Sequence, residues 1–424
     1  MAVDERSCYV YIQLPGDWEW VPCASLRVKA LGSGAFEGTF TYGKRYLQRG
    51  NVVALDDYHL PLSDRPHRIT KRKGIPGAVR DASPDAWGRR VIQARLQRPE
   101  ADLAEMEYLL HGPDDGAGNL RFGLTVEPPG PSRMYNRTHH LETLVDAARQ
   151  VEEGGRPPHE VLEQMEPGTS MGGARPKVAV EDGERIWLCK LPEKGDRHNM
   201  QRIEFATLEL ARAAGLRVCA ARLQPIAGGE VLMLQRFDRE WDSERQRYAR
   251  FGFVSALTVL DAEDGHTGRD RWSYLLLADE LRRWSSHPSA DQEELYRRMV
   301  FNAMVTNNDD HPRNHALLRT RGGWRLSPAY DIVPVPLLSQ EKRDLALEAG
   351  RFGRAASLYN LLSRPEVFGL TREAARQQIE ALLAVVSDWK RLFRANGVDA
   401  RSIEMLEQAI LPASFYRTEP PDTG

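Results

Sequence analysis

The feature that most restricts what this chain can fold into is a dense polar run placed directly after an apolar helical stripe. The stripe is Leu295, Met299 and Ala303, beside Tyr296, Val300 and Met304. Its helical spacing demands burial in a core. The run that follows reads Thr306-Asn307-Asn308-Asp309-Asp310-His311-Pro312-Arg313-Asn314-His315. Beyond a Gly322-Gly323 turn comes Leu326-Ser327-Pro328-Ala329-Tyr330-Asp331. Where a core helix ends, the chain thus gathers carboxylates, carboxamides, two imidazoles and a guanidinium, a density that a mere connector does not need.

Spacing gives that run a chemical meaning. Asn314 follows Asp309 by five positions, and Asp331 lies beyond the turn. Phosphoryl transfer by a protein kinase uses an Asp to accept the hydroxyl proton, an Asn for one magnesium and a later Asp for the other, the first two spaced D-x-x-x-x-N. The competing reading is an Asx-rich turn whose side chains bond local backbone and cap helices. On this stretch alone the two readings are level.

At 424 residues the chain can form two or three domains. A net charge of −2 and an apolar fraction of 41% fit a soluble globular protein and give no bulk argument for nucleic acid or membrane. Cys8, Cys23, Cys189 and Cys219 are scattered without a C-x-x-C pair, so neither a disulfide framework nor a cysteine metal site is expected, and a reducing cytosol fits. The first residues read as a strand rather than a signal peptide, and no stretch has membrane-spanning length. The expected location is cytoplasmic.

In chain order, Tyr9–Ile12 and the alternating Gly34–Tyr42 read as strands of a small α/β domain. Pro84 and Asp85 open a helix, with Ser83 as its expected N-cap. The stretch from Arg65 to Arg98 is basic; a solvated helix face is preferred over a nucleic-acid surface, because no aromatic run interleaves the charges. Glu127-Pro128-Pro129-Gly130-Pro131-Ser132 is a joint, and a helix carrying Leu141, Leu144, Val145 and Ala148 follows. In Ser170-Met171-Gly172-Gly173-Ala174-Arg175-Pro176-Lys177, glycines would let backbone N–H groups approach phosphate oxygens, although on the residues alone a plain turn is the preferred reading and the run is no Walker A loop.

Asp182-Gly183 predicts a hairpin turn. On the next strand Lys190 shares an apolar face, where it needs an anion unless that strand is an exposed edge. The spacing predicts a helix over Arg202–Ala214, stopped by Gly215, with Glu204 as either a partner for Lys190 or a surface acid. Val231–Leu234 runs into the charged turn Gln235-Arg236-Phe237-Asp238-Arg239. Helices dominate afterwards: Trp272–Trp284, the stripe above, and one long helix capped by Thr371 with Ile379, Leu382, Val386, Trp389 and Phe393 inward, closed by Asn396-Gly397.

N-D-D-H-x-x-N followed by W-R-L-S-P-A-Y-D-I resembles the HipA family of bacterial serine/threonine kinases, the toxin halves of toxin–antitoxin pairs. So do Asp81-x-x-Pro84-Asp85-x-Trp87-Gly88, the run Gly116–Gly123, Ser170–Lys177 and Gln235–Arg239. The resemblance implies an α+β, kinase-like two-lobed fold with a β-rich N-terminal part and an all-helical C-terminal lobe. Its implied divisions are a HipA N-terminal-like α/β domain over 1–127, a nucleotide-binding lobe over 128–238 and a helical catalytic lobe over 239–424, with ATP between the lobes.

It also implies roles. Asp309 is the base, with adjacent Asp310 as the alternative, and Asn314 and Asp331 hold magnesium. Lys190 and the loop Gly172, Gly173, Ala174, Arg175, Pro176, Lys177 neutralise phosphates. Gln235 and Phe237, flanking Arg236, offer backbone to adenine, and Asp238 lies near the ribose. His311 and Arg313 add phosphate or structural contacts, and Tyr330 precedes Asp331 where other kinases carry D-F-G. Ser170 is the implied autophosphorylation site. The implied cofactors are ATP and Mg2+. The implied partners are a protein substrate, an aminoacyl-tRNA synthetase among the candidates, and a helix-turn-helix, HipB-like antitoxin, with DNA reached only through that partner and no membrane. Two other classes stay open: a nucleotide-binding regulatory partner without transfer activity, and a small-molecule phosphotransferase.

Overall fold

The computed structural model describes residues 5–32, 34–113, 115–128, 130, 135–165, 174–336 and 344–420. The fold is α+β, with a β-rich N-terminal part, as expected from the sequence. Two compact units share the chain. One comprises Met1–Glu193, Gln235–Glu263 and Leu318–Gly322; the other comprises Lys194–Leu234, Asp264–Leu317 and Gly323–Gly424.

The first unit begins with strands β1 (Glu5–Gln13), β2 (Trp20–Gly32), β3 (Ala35–Tyr42), β4 (His67–Ile69) and β5 (Leu120–Gly123), hydrogen-bonded in the order β4-β3-β2-β1-β5 with antiparallel neighbours. Alternation decides which face is buried. Cys8 pairs with Leu26 and Leu26 with Phe40, and all three are buried. Tyr42 donates its hydroxyl to Leu60 O at 2.7 Å and accepts from Leu55 N at 3.0 Å, which ties the following loop to the sheet.

The helix Ala86–Leu96 starts two residues later than the sequence reading implies. Asp85, not Ser83, is its N-cap and accepts from Gly88 N at 3.0 Å. A cap must be extended and reach the N–H three residues on; Asp85 meets both conditions, and Ser83 stands too far upstream. After the helix Leu141–Glu152, which buries Leu141, Leu144, Val145 and Ala148, come strands β6 (Lys177–Asp182) and β7 (Arg185–Lys190). They form an antiparallel hairpin around Gly183 at φ +62°.

In the second unit, Asn199 caps the helix Met200–Ala213 by accepting from Arg202 N, and Gly215 follows at φ +80°. The helix Pro288–Val305 is the centre of the core; Leu295, Tyr296, Met299, Val300, Ala303 and Met304 are fully buried. The expected long helix after Thr371 is two helices, Arg372–Val386 and Trp389–Ala395, separated at Ser387-Asp388. Periodicity hid the break because Trp389 and Phe393 stay in phase with Ile379, Leu382 and Val386, and all five are buried. Two short strands, Ala316–Thr320 and Gly323–Leu326, follow the core helix Pro288–Val305 in the sequence.

Candidate active site

The polar run is held at both ends. Thr306 ends the core helix in the left-handed region at φ +55°, its hydroxyl donates to Ala409 O, and its carbonyl accepts from Val335 N at 3.0 Å. Asn307 N closes back onto Asn302 O at 2.9 Å. The loop then tightens: His311 N donates to Asp309 O and Asn314 N to His311 O, both at 2.8 Å.

Adjacent Asp309 and Asp310 have opposite surroundings. Asp310 is 2% exposed and accepts from the Tyr274 hydroxyl, while His315 Nε2 lies 3.1 Å from the same carboxylate oxygen. Asn302 Nδ2 donates to Tyr274 Oη at 3.0 Å, and Asn307 Nδ2 to Asn302 Oδ1 at 3.1 Å, so Asp310 ends a buried polar chain. Asp309 is exposed. Partial desolvation of its carboxyl, reinforced by repulsion from Asp331 and opposed by His311, raises its pKa above the ordinary aspartate value.

Asn314 is buried and donates its amide to Asp309 O at 3.3 Å. Its Oδ1 has no hydrogen-bond partner among the described residues. Asp331 adopts φ +57°, a conformation that Asp tolerates better than most side chains. The chain before it is clamped: Ala329 N donates to Arg217 O at 2.7 Å, Cys219 N to Ala329 O at 3.0 Å, and Tyr330 Oη to Arg313 O at 2.7 Å. Arg313 grips Asp264 with two bonds of 2.9 and 2.7 Å, the bidentate geometry that a guanidinium favours. The His311 ring lies 6.5 Å from that of Trp272.

A deeper support is Asp291, fully buried, which accepts from Arg325 twice at 3.0 Å, Arg217 at 2.8 Å, Ser285 Oγ at 2.6 Å and Leu326 N at 2.9 Å. Burial pushes its pKa up, but these donors outweigh burial and hold it below the ordinary value. Sequence reasoning missed Asp291 and Tyr274, since neither stands in a recognisable run.

Among the described residues no three His, Cys, Asp or Glu side chains are grouped to hold a metal. A magnesium ion does not need such a cage. It keeps several waters and takes one or two protein oxygens together with substrate phosphates. The orphaned, buried Asn314 Oδ1 and the carboxylate of Asp331 fit that requirement.

Asp309, His311, Arg313, Asn314, Tyr330 and Asp331 all belong to the second unit; Lys177, Lys190 and Gln235–Asp238 belong to the first. Ser170, Gly172 and Gly173 lie outside the described residues. Ala174 is exposed, Arg175 pairs with Glu193 at 3.1 Å, and buried Pro176 accepts from Leu191 N at 2.9 Å. Lys190 is buried at the end of β7.

Gln235 and Phe237 are half-buried and line a pocket with Ile186 and Tyr248. Between them Arg236 N donates to Ile186 O at 2.9 Å. The side chains of Arg236 and Asp238 point into a buried ionic cluster. Asp238 accepts from Arg236 at 3.0 and 2.8 Å, from Arg239 at 2.8 Å and from Gly118 N at 2.9 Å, while Arg236 also reaches Asp115 at 2.7 Å. Burial opposes the Asp238 charge, yet the two guanidinium groups win and keep the carboxyl far below its usual range. Asp238 is wholly buried, so its carboxylate supports the turn rather than facing a ligand.

Comparison with known proteins identifies the family. The model of the HipA-like C-terminal domain matches residues 169–389, and that of the HipA N-terminal domain matches residues 25–123. The chain belongs to the HipA family. A protein named putative kinase Y4mE from Sinorhizobium fredii is 28% identical over 155 residues, which cover 35% of this chain and 36% of that protein. The serine/threonine-protein kinase toxin HipA of Shewanella oneidensis is 25% identical over 166 residues, covering 35% of this chain and 37% of that protein. These alignments thus span little more than a third of either relative. The solved structure of the Shewanella oneidensis MR-1 HipA, determined with HipB and operator DNA, superposes with a TM-score of 0.65 over 94% of both chains at 17% identity, a likeness of fold. Among the described residues no helix is long and apolar enough to cross a membrane.

Proposed function

We propose that this chain is a serine/threonine-protein kinase that transfers the γ-phosphate of ATP to a protein hydroxyl. One observation carries the reading. Asp309 is exposed with a raised carboxyl pKa, and it sits five positions before Asn314, whose buried Oδ1 lacks a partner among the described residues, and within electrostatic reach of Asp331. Asp309 orients the substrate hydroxyl and takes its proton. Asn314 Oδ1 and the Asp331 carboxylate would hold magnesium, which when bound neutralises charge on the phosphates. Lys190 takes phosphate oxygens, and the backbone of Gln235 and Phe237 faces adenine. Arg313, committed to Asp264, shapes the loop, and Asp310 anchors it.

Family membership and the Shewanella relative's pairing with HipB support the role of a cytoplasmic toxin held by a helix-turn-helix antitoxin. A housekeeping protein such as an aminoacyl-tRNA synthetase is the substrate class this role calls for. Ser170 precedes Met171-Gly172-Gly173, and a phosphoserine there, with a charge of roughly −1.5 to −2, would repel a triphosphate and switch the enzyme off.

Incubation with radiolabelled ATP and magnesium, followed by phosphosite mapping, tests the reading. Label is expected on a protein substrate and on Ser170, with sustained activity in Ser170→Ala and weak ATP binding in Ser170→Asp. Label on small alcohols alone would make the protein a small-molecule phosphotransferase. Nucleotide binding without any transfer would leave a regulatory partner.

A further inference from the structure

Lys177 closes the run expected to cradle phosphate, yet both its polar groups are already engaged. The residue is 0% exposed, and its ammonium lies 2.6 Å from Asp85 Oδ2. Its carbonyl accepts from Trp87 Nε1 at 3.0 Å, and Trp87 is itself fully buried. The acceptor is fixed independently, because the other oxygen of Asp85 caps the helix Ala86–Leu96 through Gly88 N. A carboxylate at a helix N-terminus is favourably placed, and a buried ammonium needs such a partner.

The strand register gives this pair a consequence. Lys177 stands directly opposite Lys190 in the β6–β7 ladder, and both are buried. Like charges directly opposite on paired strands repel. Asp85 offsets the charge of Lys177.

We propose that Lys177 is a positioning residue and not a phosphate ligand. With Asp85 and Trp87 it locks the start of β6, so that Lys190, its cross-strand neighbour, is the lysine presented to the nucleotide. The Asp-x-Trp element of the N-terminal domain thereby becomes part of the nucleotide machinery. The inference rests on the kinase reading only for the role of Lys190.

The test is a double-mutant cycle in the full-length protein, read by the Kd of a fluorescent ATP analogue with magnesium, well below the unfolding temperature, and by the thermal midpoint. Lys177→Met and Asp85→Asn each strand a buried charge. Each is expected to lower the midpoint and to weaken nucleotide binding roughly tenfold, whereas the double variant regains most of both, as coupled neighbours do. Trp87→Phe removes the indole donor together with part of a buried ring and touches neither charge. It should weaken binding with both charges intact, and it stands in where Asp85→Asn fails to fold. Binding lost equally in Lys177→Met and in the double variant would make Lys177 a phosphate ligand and overturn the proposal. Unchanged binding in every variant would reduce the pair to a stabilising contact and overturn it as well. If the wild type binds no nucleotide, the kinase reading falls, and the thermal cycle alone decides: additive losses overturn the pairing.

Discussion

The hydroxyl of Tyr274 donates to the carboxylate of Asp310, 36 positions further along the chain and one residue past Asp309. That bond sorts two neighbouring acids. Asp310 is turned into the core, where His315 and the Asn302–Asn307 chain join it, and Asp309 is left facing outward. An acid held on one side and an acid poised on the other is an arrangement suited to a base that must be placed without being quenched.

Replacing Asp309 by Asn should lower phosphoryl transfer by about a hundred- to ten-thousand-fold, the range typical of a general base. The same substitution should raise the thermal midpoint at neutral pH. The folded-state pKa of Asp309 lies above its ordinary value, so folding favours the protonated carboxyl and loses stability as pH rises through that pKa. The advantage of Asn should therefore fade in acid, below the unfolded-state pKa. Transfer at the wild-type rate would move the base to Asp310.

The pH–rate profile should carry the same signature. Its acid limb should lie above the ordinary aspartate range. Asp331 raises the Asp309 pKa and His311 lowers it, so Asp331→Asn should move the limb to lower pH and His311→Gln to higher pH. Asn also tolerates the positive φ of position 331. If Asp331 holds magnesium as proposed, changing it should weaken ATP binding far more with magnesium than in EDTA; equal weakening would make it a structural residue.

Tyr274→Phe removes a donor from a buried carboxylate and leaves Asn302 Nδ2 without its acceptor. A cost of about 1–3 kcal/mol in stability follows from stranding such groups. Because the polar chain positions the loop, kcat should fall while the nucleotide KM holds. A loss of stability with unchanged kcat would sever Asp310 from the chemistry.

Asp291→Asn should destabilise by about 1–3 kcal/mol at neutral pH, because a fully buried acceptor loses its charge-assisted bonds while Arg217 and Arg325 keep part of their solvent. The folded pKa of Asp291 is depressed, so its contribution is present above the unfolded-state pKa and is lost as pH falls through the folded one. Urea titrations of both proteins should therefore converge in acid. A gap independent of pH would point to packing rather than charge.

Much of this protein is decided locally. The stripe Leu295–Met304 dictates a buried helix, Asp182-Gly183 a hairpin, Gly215 a helix stop, and the step from Asp309 to Asn314 a polar constellation at a helix end. Each depends on a period or on one residue's backbone preference, which a sequence carries on its face. Other features appear only when distant segments meet. The step to Asn314 singles out Asp309, but nothing local says which of Asp309 and Asp310 turns inward, since a loop has no period; Tyr274 and His315 decide it. Lys177 reads as a phosphate-loop lysine until Asp85, ninety-two positions earlier, takes its ammonium. Asp238 reads as a ligand-facing acid until Arg236, Arg239 and Gly118 enclose it. The sequence by itself determined which residues could carry charge and where helices and turns must begin. Only the tertiary structure decided which of those charges are neutralised inside and which are left facing outward, because burial and counter-charge are properties of residues brought together and not of residues in a row.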